Sequence, residues 1–128
     1  MMKKILATAL VLSCANVFAA GNSANGKKVW EKVKCIQCHK KDGLGMAASE
    51  AQINAMKGPR IARLSEAYII AQMNAIKSGA PRGKRPAKNT SSMKTKIKSL
   101  TDQEIADVAA YVSKDLNAAA GKHTGLVK

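Results

Sequence analysis

The 128-residue sequence predicts an all-α protein with three main helices joined by long loops. Two observations support this class. Apolar residues recur at helical spacing in three separate segments, and no run alternates polar and apolar residues as a half-buried strand does. A third feature, a single short cysteine–histidine motif after the first helical segment, indicates that the domain folds around a bound group.

The first helix is predicted over residues 24–34, with Asn22 or Ser23 as its N-cap. Its apolar residues follow the i, i+3, i+4, i+7 pattern of one helix face. They are Gly26, Val29, Trp30 and Val33.

The second helix is predicted over residues 66–77, because Ser65 precedes it and Gly79 follows it as start and stop signals. Its inner face carries Ile69, Met73 and Ile76.

The third helix begins after Thr101, where Thr101 and Glu104 form the pattern of a capping box. Its apolar stripe consists of Ile105, Val108, Ala109 and Val112, with Tyr111 and Leu116 beside it. Loops are predicted at about 40–64 and 80–99, and loops this long in a small domain are usually functional or unstructured. The polar segment 117–128 is predicted to be a flexible tail.

Residues 1–19 have the pattern of an export signal, which predicts a periplasmic protein whose folded domain covers residues 20–116. Lys3 and Lys4 precede the apolar run Ile5–Leu12, and small residues at 17 and 19 favour cleavage before Ala20. The run is shorter than the roughly 20 residues that span a bilayer, which argues against a retained membrane anchor. The segment ending at Cys14 also resembles a lipoprotein box, but Leu12 is larger than usual there, so a free exported protein is favoured over lipid anchoring.

The motif Cys35-Ile36-Gln37-Cys38-His39 is a C-x-x-C-H sequence, the attachment pattern of a c-type haem. Similar cysteine pairs occur in thiol oxidoreductases and zinc sites. The predicted mature chain lacks the strand-rich context of the first, and its other histidine, His123, lies in the tail. One covalently attached haem c is therefore expected, with Cys35 and Cys38 bonded to the porphyrin and His39 on the iron.

The second iron ligand in an electron carrier is often a methionine. Met73 has the spacing of a core residue, and His123 is in the tail, so both are expected to have other roles. Met46, Met56 and Met93, in the two long loops, remain candidates for the second iron ligand on this reasoning.

Over about residues 23–115 the chain resembles the small class I cytochromes c of bacteria, especially short monohaem carriers and the single-haem halves of dihaem periplasmic cytochromes. The matching stretches are residues 26–30 (GKKVW), CIQCH, residues 58–64 (GPRIARL), residues 68–79, Met93, and residues 100–112 (LTDQEIADVAAYV).

The resemblance implies a cytochrome c fold with long loops wrapped around one haem. It implies that Met93 is the second iron ligand and that the Pro59 carbonyl accepts a hydrogen bond from the His39 ring. It also implies that Gly26 and Trp30 lie where the first helix crosses the last near Tyr111. Trp30 departs from the family, in which Phe is more usual at this position.

We therefore expect a monohaem one-electron carrier in a respiratory or sulfur-oxidising chain, not an enzyme. The alternatives are a haem-bearing subunit of an oxidoreductase complex, and an enzyme or sensor with an open iron site if Met93 does not bind.

The formal charge is +14, and removal of Lys3 and Lys4 with the signal leaves +12. No acidic residue lies between Glu66 and Asp102. The basic residues expected near the haem edge are Lys40, Lys41, Lys77, Arg82, Lys84, Arg85, Lys88, Lys94, Lys96 and Lys98. They predict docking to acidic redox partners such as an oxidase, reductase or dehydrogenase, as a monomer or complex subunit. The alternatives are a basic surface that serves only solubility and a surface that contacts anionic lipid. The export signal and the small number of aromatic residues argue against binding to nucleic acid.

Overall fold

A computed structural model describes residues 19–46, 58–82 and 90–116. Within these ranges it contains helices and turns and no strand. The helices are α1 (Ser23–Val33), α2 (Ile36–His39), α3 (Glu66–Ser78), α4 (Ser91–Ile97) and α5 (Asp102–Tyr111), and a π-helical turn (Val112–Leu116) follows α5. Several sequence predictions concern residues outside these ranges: the signal with Cys14, Met56, Lys84, Arg85, Lys88, and the tail with His123.

The three predicted helices are confirmed, and side chains cap them as expected. Asn22 accepts a hydrogen bond from the Asn25 amide at 3.0 Å, and Ser65 accepts one from the Tyr68 amide at 3.2 Å. At the start of α5 the Thr101 hydroxyl accepts from the Glu104 amide at 3.1 Å, while Glu104 accepts from the Thr101 amide at 2.9 Å. These bonds satisfy amides that the first turn of a helix leaves without partners.

The prediction of a continuous loop over 80–99 was wrong, because residues 91–97 form α4 and Met93 lies within it. Seven residues are too few to show helical periodicity, and an isolated helix of this length is unstable in water. Tertiary packing stabilises α4: Ile97 is buried, and Met93 packs against the core. Helix α2 was also not predicted, since it is a single turn inside the cysteine motif.

The core is centred on the crossing of α1 and α5. A Cβ atom on Gly26 would stand 2.0 Å from the Asp107 carbonyl oxygen and 2.8 Å from the Tyr111 Cβ, so only glycine allows the two backbones this approach. The Trp30 ring packs on the Tyr111 ring, with centroids 5.9 Å apart. This is the crossing that the resemblance implied.

Helix α3 packs against α5 and brings its predicted inner face into the core. Ile69, Met73 and Ile76 are all buried, in agreement with the packing role expected of Met73. At the end of α3, the Lys77 ammonium donates to the Leu100 carbonyl and lies 3.7 Å from the Asp102 carboxylate. These contacts connect the end of α3 to the start of α5.

No helix in the described ranges is both long and apolar enough to cross a membrane.

Candidate haem site

The cysteine motif begins where α1 ends. Lys34 adopts the left-handed conformation (φ 60°) that commonly terminates a helix, and the chain turns there. The Cys35 amide still donates to the Trp30 carbonyl at 3.1 Å, which holds the start of the motif against α1. The motif then winds into the single turn of α2, closed by the bond from the His39 amide to the Cys35 carbonyl at 2.9 Å.

This turn explains the spacing of the motif. Residues three and four apart lie on the same side of a helical turn, so Cys35, Cys38 and His39 share one side. Cys38 is exposed and Cys35 is half-buried, and both are free thiols. Burial raises the pKa of the Cys35 thiol to about 11, so this thiol is protonated at neutral pH.

His39 is buried, and its Nδ1 atom lies 2.8 Å from the Pro59 carbonyl oxygen. A carbonyl oxygen only accepts hydrogen bonds, so Nδ1 carries the proton and Nε2 keeps a free lone pair. Burial lowers the pKa of His39, although the Pro59 carbonyl opposes this shift, so the ring favours its neutral form. A neutral imidazole with its second nitrogen bonded to a carbonyl is how histidine binds metals in proteins.

Gly58 allows the Pro59 carbonyl to reach His39. A Cβ atom on Gly58 would stand 2.1 Å from the Cys38 carbonyl oxygen, so the backbone of residue 58 lies directly against the motif. The Gly58 carbonyl accepts from the Met46 amide at 2.8 Å, and the Gly45 amide donates to the His39 carbonyl at 3.0 Å. The segments on both sides of residues 47–57 are thereby joined around the histidine.

The described methionines have different surroundings. Met73 is buried in the core, and Met46 is 50% exposed. Met93 is half-buried on α4 and packs against the core cluster that contains Trp30 and Met73. The Met93 side chain is therefore held in place by packing against the core, and the residue remains partly exposed.

This set of groups fits a c-type haem. Two thiols share a side of one turn, the next residue offers an imidazole lone pair of fixed tautomer, and Met93 and Met46 carry thioethers that are not fully buried. Among the described residues, no group of three or more His, Cys, Asp or Glu side chains forms an alternative metal site.

The family model described as Cytochrome c matches residues 23–114. The chain belongs to the cytochrome c family. It is also 30% identical over 95 residues to cytochrome c-554(548) of Halomonas halodenitrificans, an alignment that covers 73% of this chain and 96% of that protein. As a family member, this cytochrome carries covalently bound haem c, which contains iron, and it is an electron-transfer haem protein.

The basic residues near the motif come from two regions of the chain. A surface groove of about 300 Å³ lies between the end of α1 and α4, lined by Lys32, Val33, Lys34, Thr95, Lys96, Ser99 and Leu100. The Lys96 charge is close enough to Cys35 to act on its thiol. Lys34 was not among the basic residues expected at the haem edge, although its position directly before Cys35 could have indicated it.

A second contact was also missed from the sequence. Trp30 was expected to pack near Tyr111, but its ring also lies against His39, with centroids 6.4 Å apart. Nothing in helical periodicity indicates this contact, because it depends on how the motif turns back toward α1 after Lys34.

Proposed function

We propose that this cytochrome is an exported monohaem carrier that passes one electron at a time between partners of a respiratory or sulfur-oxidising chain, and that it catalyses no bond chemistry. Cys35 and Cys38 bond the porphyrin, and His39 and Met93 bind the iron. The observation that carries the proposal is the motif turn in which the Pro59 carbonyl holds His39 with Nε2 available.

Each residue has a separate task. The haem, when bound, supplies the reversible one-electron couple. The Pro59 carbonyl fixes the orientation of His39 and makes its ring a better donor to the metal. A methionine as the second ligand raises the reduction potential. Two strong ligands, His39 and Met93, would keep the surroundings of the iron nearly the same in both oxidation states, which would favour fast electron transfer.

The ligand assignment is tested by optical spectra of the oxidised and reduced protein, produced with haem-maturation machinery. The reduced spectrum should be that of a haem bound by two thioethers, and the oxidised protein should show the weak far-red band of methionine bound to ferric iron. Met93→Ala should abolish this band. Met46→Ala, a change of the same type at an exposed position, should retain it. Retention of the band in Met93→Ala, or its loss in Met46→Ala, would refute the assignment.

We further propose that partners dock at the groove beside Cys35. Lys34 and Lys96 line it. Lys94 lies on α4 and Lys98 follows its last residue. Lys40 and Lys41 follow the motif, and all of these lysines are exposed. Ile36, within the motif, is 48% exposed. An apolar residue close to lysines suits contact with an acidic redox protein, whose approach the positive charge accelerates.

The docking proposal is tested by the second-order rate of electron transfer with the physiological partner at increasing ionic strength. The rate should fall with salt, because screening weakens attraction between opposite charges. The double variant Lys34→Gln/Lys96→Gln should reduce this dependence more than Lys27→Gln/Lys28→Gln, which removes the same charge from the exposed face of α1. Equal effects of the two variants would assign the salt dependence to net charge alone.

The same surface also suits a haem subunit held permanently in an oxidoreductase complex. Size-exclusion chromatography of the native protein distinguishes the two functions: a free carrier elutes as a monomer, and a subunit elutes with its partner.

For processing, we propose that residues 1–19 are the signal peptide, 20–116 the haem domain and 117–128 a tail. Cleavage before Ala20 retains the bond from the Asn22 amide to the Asp107 carboxylate, 2.8 Å long, which joins the start of α1 to α5. The intact mass of the protein from the periplasm of its host tests the site. A mass that corresponds to a chain beginning with acylated Cys14 would show lipid anchoring instead.

A further inference from the structure

Helix α4, which carries Met93, has little within itself to stabilise it. It is seven residues long, and its first turn has no acidic residue to interact with the positive end of the helix. A helix this short does not persist in water by itself. The position of α4, and with it that of Met93, therefore depends on contacts with other parts of the domain.

The apolar contacts of α4 are uneven along its length. Ile97, its last residue, is almost fully buried, whereas Met93, one turn earlier, is only half-buried. Both pack with a core cluster to which α3 contributes Met73 and Ile76. Apolar packing therefore holds the end of α4 more firmly than the turn that carries Met93.

Two lysines connect α3 and α4 in opposite directions. Lys77, in the last turn of α3, extends to the Leu100 carbonyl, three residues after α4, and donates to it at 2.5 Å. Lys94, in α4, extends to the end of α3: its ammonium nitrogen would stand 3.0 Å from a Cβ atom on Gly79, the residue that follows that helix. Each helix thus places a cation just beyond the end of the other.

Both of these contacts are electrostatically favourable. The last carbonyl groups of a helix have no partners within it and give its end a partial negative charge, which attracts an ammonium group near Gly79. The Lys77 ammonium also lies 3.7 Å from the Asp102 carboxylate, and its side chain is only 29% exposed, so water weakens its contacts less. Lys94 is exposed, and its contribution should be the smaller of the two.

We propose that Lys77 and Lys94 are positioning residues, which hold α4 against α3 and thereby keep Met93 on the haem iron. This inference rests on the proposed function, in which Met93 is the second iron ligand. Loss of either lysine should allow α4 to move away together with Met93. The α1–α5 crossing, which other residues form, should remain folded, so that an external base can take the place of Met93 in an otherwise native protein.

The probe is imidazole, a neutral base that binds ferric haem iron in place of methionine. Its association constant for the ferric holoprotein, measured from the loss of the far-red band, reports how easily Met93 leaves. Lys77→Gln should raise this constant about tenfold, because a hydrogen bond from a charged donor is lost. Lys94→Gln should raise it about threefold, and Lys94→Arg, which keeps the charge, should return it close to the wild-type value.

The matched control is Lys114→Gln. The Lys114 ammonium lies 3.8 Å from the carboxylate of Glu66, the first residue of α3, so this variant removes a lysine contact at the opposite end of that helix from Gly79. It should leave the imidazole constant unchanged. The unfolding free energy of every variant, measured by denaturant titration without imidazole, separates release of Met93 from general destabilisation.

An imidazole constant that neither Lys77→Gln nor Lys94→Gln changes overturns the positioning role, even if their unfolding free energies fall. An equal rise in Lys114→Gln also overturns it, since general destabilisation or lost charge would then explain the effect. If Lys77→Gln does not fold, the comparison of Lys94→Gln with Lys94→Arg decides. A wild-type ferric protein without the far-red band refutes Met93 as the ligand, and this inference with it; a band with unresponsive variants refutes the positioning role alone.

Discussion

The α1–α5 crossing and the motif side of the molecule are built in different ways. At the crossing, two capped helices meet backbone to backbone at Gly26, and nearly every inward residue of α5 is buried. On the motif side, the single turn of α2 and the segments 43–46 and 58–62 are joined by a few backbone hydrogen bonds, and Cys38, Ile36 and Met46 are exposed. The crossing is complete with protein atoms alone, whereas the motif side presents apolar and sulfur-bearing side chains with little protein over them.

This difference separates what the protein contributes to stability from what the haem contributes. Burial of apolar area drives folding, and α1 and α5 contribute Val29, Trp30, Ile105, Val108 and Ala109 to the buried core. The motif side is where a large apolar porphyrin would replace missing protein contacts. Changes at the crossing should therefore alter stability and leave the haem spectrum intact, while changes beside the motif should alter the haem environment.

The largest effect on stability is expected for Gly26→Ala. The added methyl group would stand 2.0 Å from the Asp107 carbonyl oxygen, so the helices must separate. We expect a loss of about 3 kcal/mol in the free energy of unfolding, measured by denaturant titration, with the far-red band retained. Lys27→Ala, at the adjacent exposed position, should have almost no effect. A stable Gly26→Ala protein with an altered haem spectrum would contradict the division into two regions.

Gly58→Ala should have a smaller effect on stability and a larger one on the haem. The new methyl group would stand 2.1 Å from the Cys38 carbonyl oxygen, and its accommodation must move the Pro59 carbonyl away from His39. We expect a loss of about 2 kcal/mol in unfolding free energy. A weaker hydrogen bond from Nδ1 makes the His39 ring a poorer electron-pair donor to the metal. The reduction potential should therefore differ from that of the Gly26→Ala variant, as measured by potentiometric titration. An unchanged potential would show that the Pro59 bond does not tune the haem.

Lys40→Gly should stabilise the motif side. Lys40 follows His39 with φ 59° and ψ 168°, a conformation that is favourable for glycine and strained for other residues. Relief of the strain should raise the unfolding free energy by about 1 kcal/mol, reduced somewhat by the greater entropy of glycine in the unfolded chain. Lys41→Gly removes the same charge one residue later, where φ is not positive, and should not stabilise. Equal melting temperatures for the two variants would contradict this explanation.

The smallest effect is expected from the charge of Glu104. The Thr101 amide, and then the Lys32 side chain, lower the pKa of the Glu104 carboxyl below its ordinary value of 4.5. Because the folded pKa lies below the unfolded one, the stabilisation is present above about pH 4.5 and is lost as the pH falls below it. Glu104→Gln keeps an acceptor for the Thr101 amide but removes the charge, so it should lower the unfolding free energy slightly at pH 7, flatten the acid side of the stability curve, and match the wild type at low pH. Glu31→Gln, the same charge change on exposed α1, should leave the curve unaltered.

The sequence was a good guide wherever the deciding contacts are local. The caps at Asn22, Ser65 and Thr101 each join residues three apart, and all three helix starts were predicted from them. The short helix around Met93 was missed because Ile97 and Met93 stabilise it by packing against residues distant in the chain. The Pro59–His39 bond was available only from the resemblance, since it joins residues 20 apart.

By itself, the sequence determined the composition of the haem motif and the helix positions, because residues three or four apart meet on any helical turn. Tertiary structure decided which groups surround that motif: the Pro59 carbonyl on His39, the approach of Lys96 to Cys35, and the contact of the Trp30 ring with His39. These contacts depend on the path of the chain after Lys34 and on how closely α1 approaches α5. Both are set by packing between distant segments, which no local pattern of residues encodes.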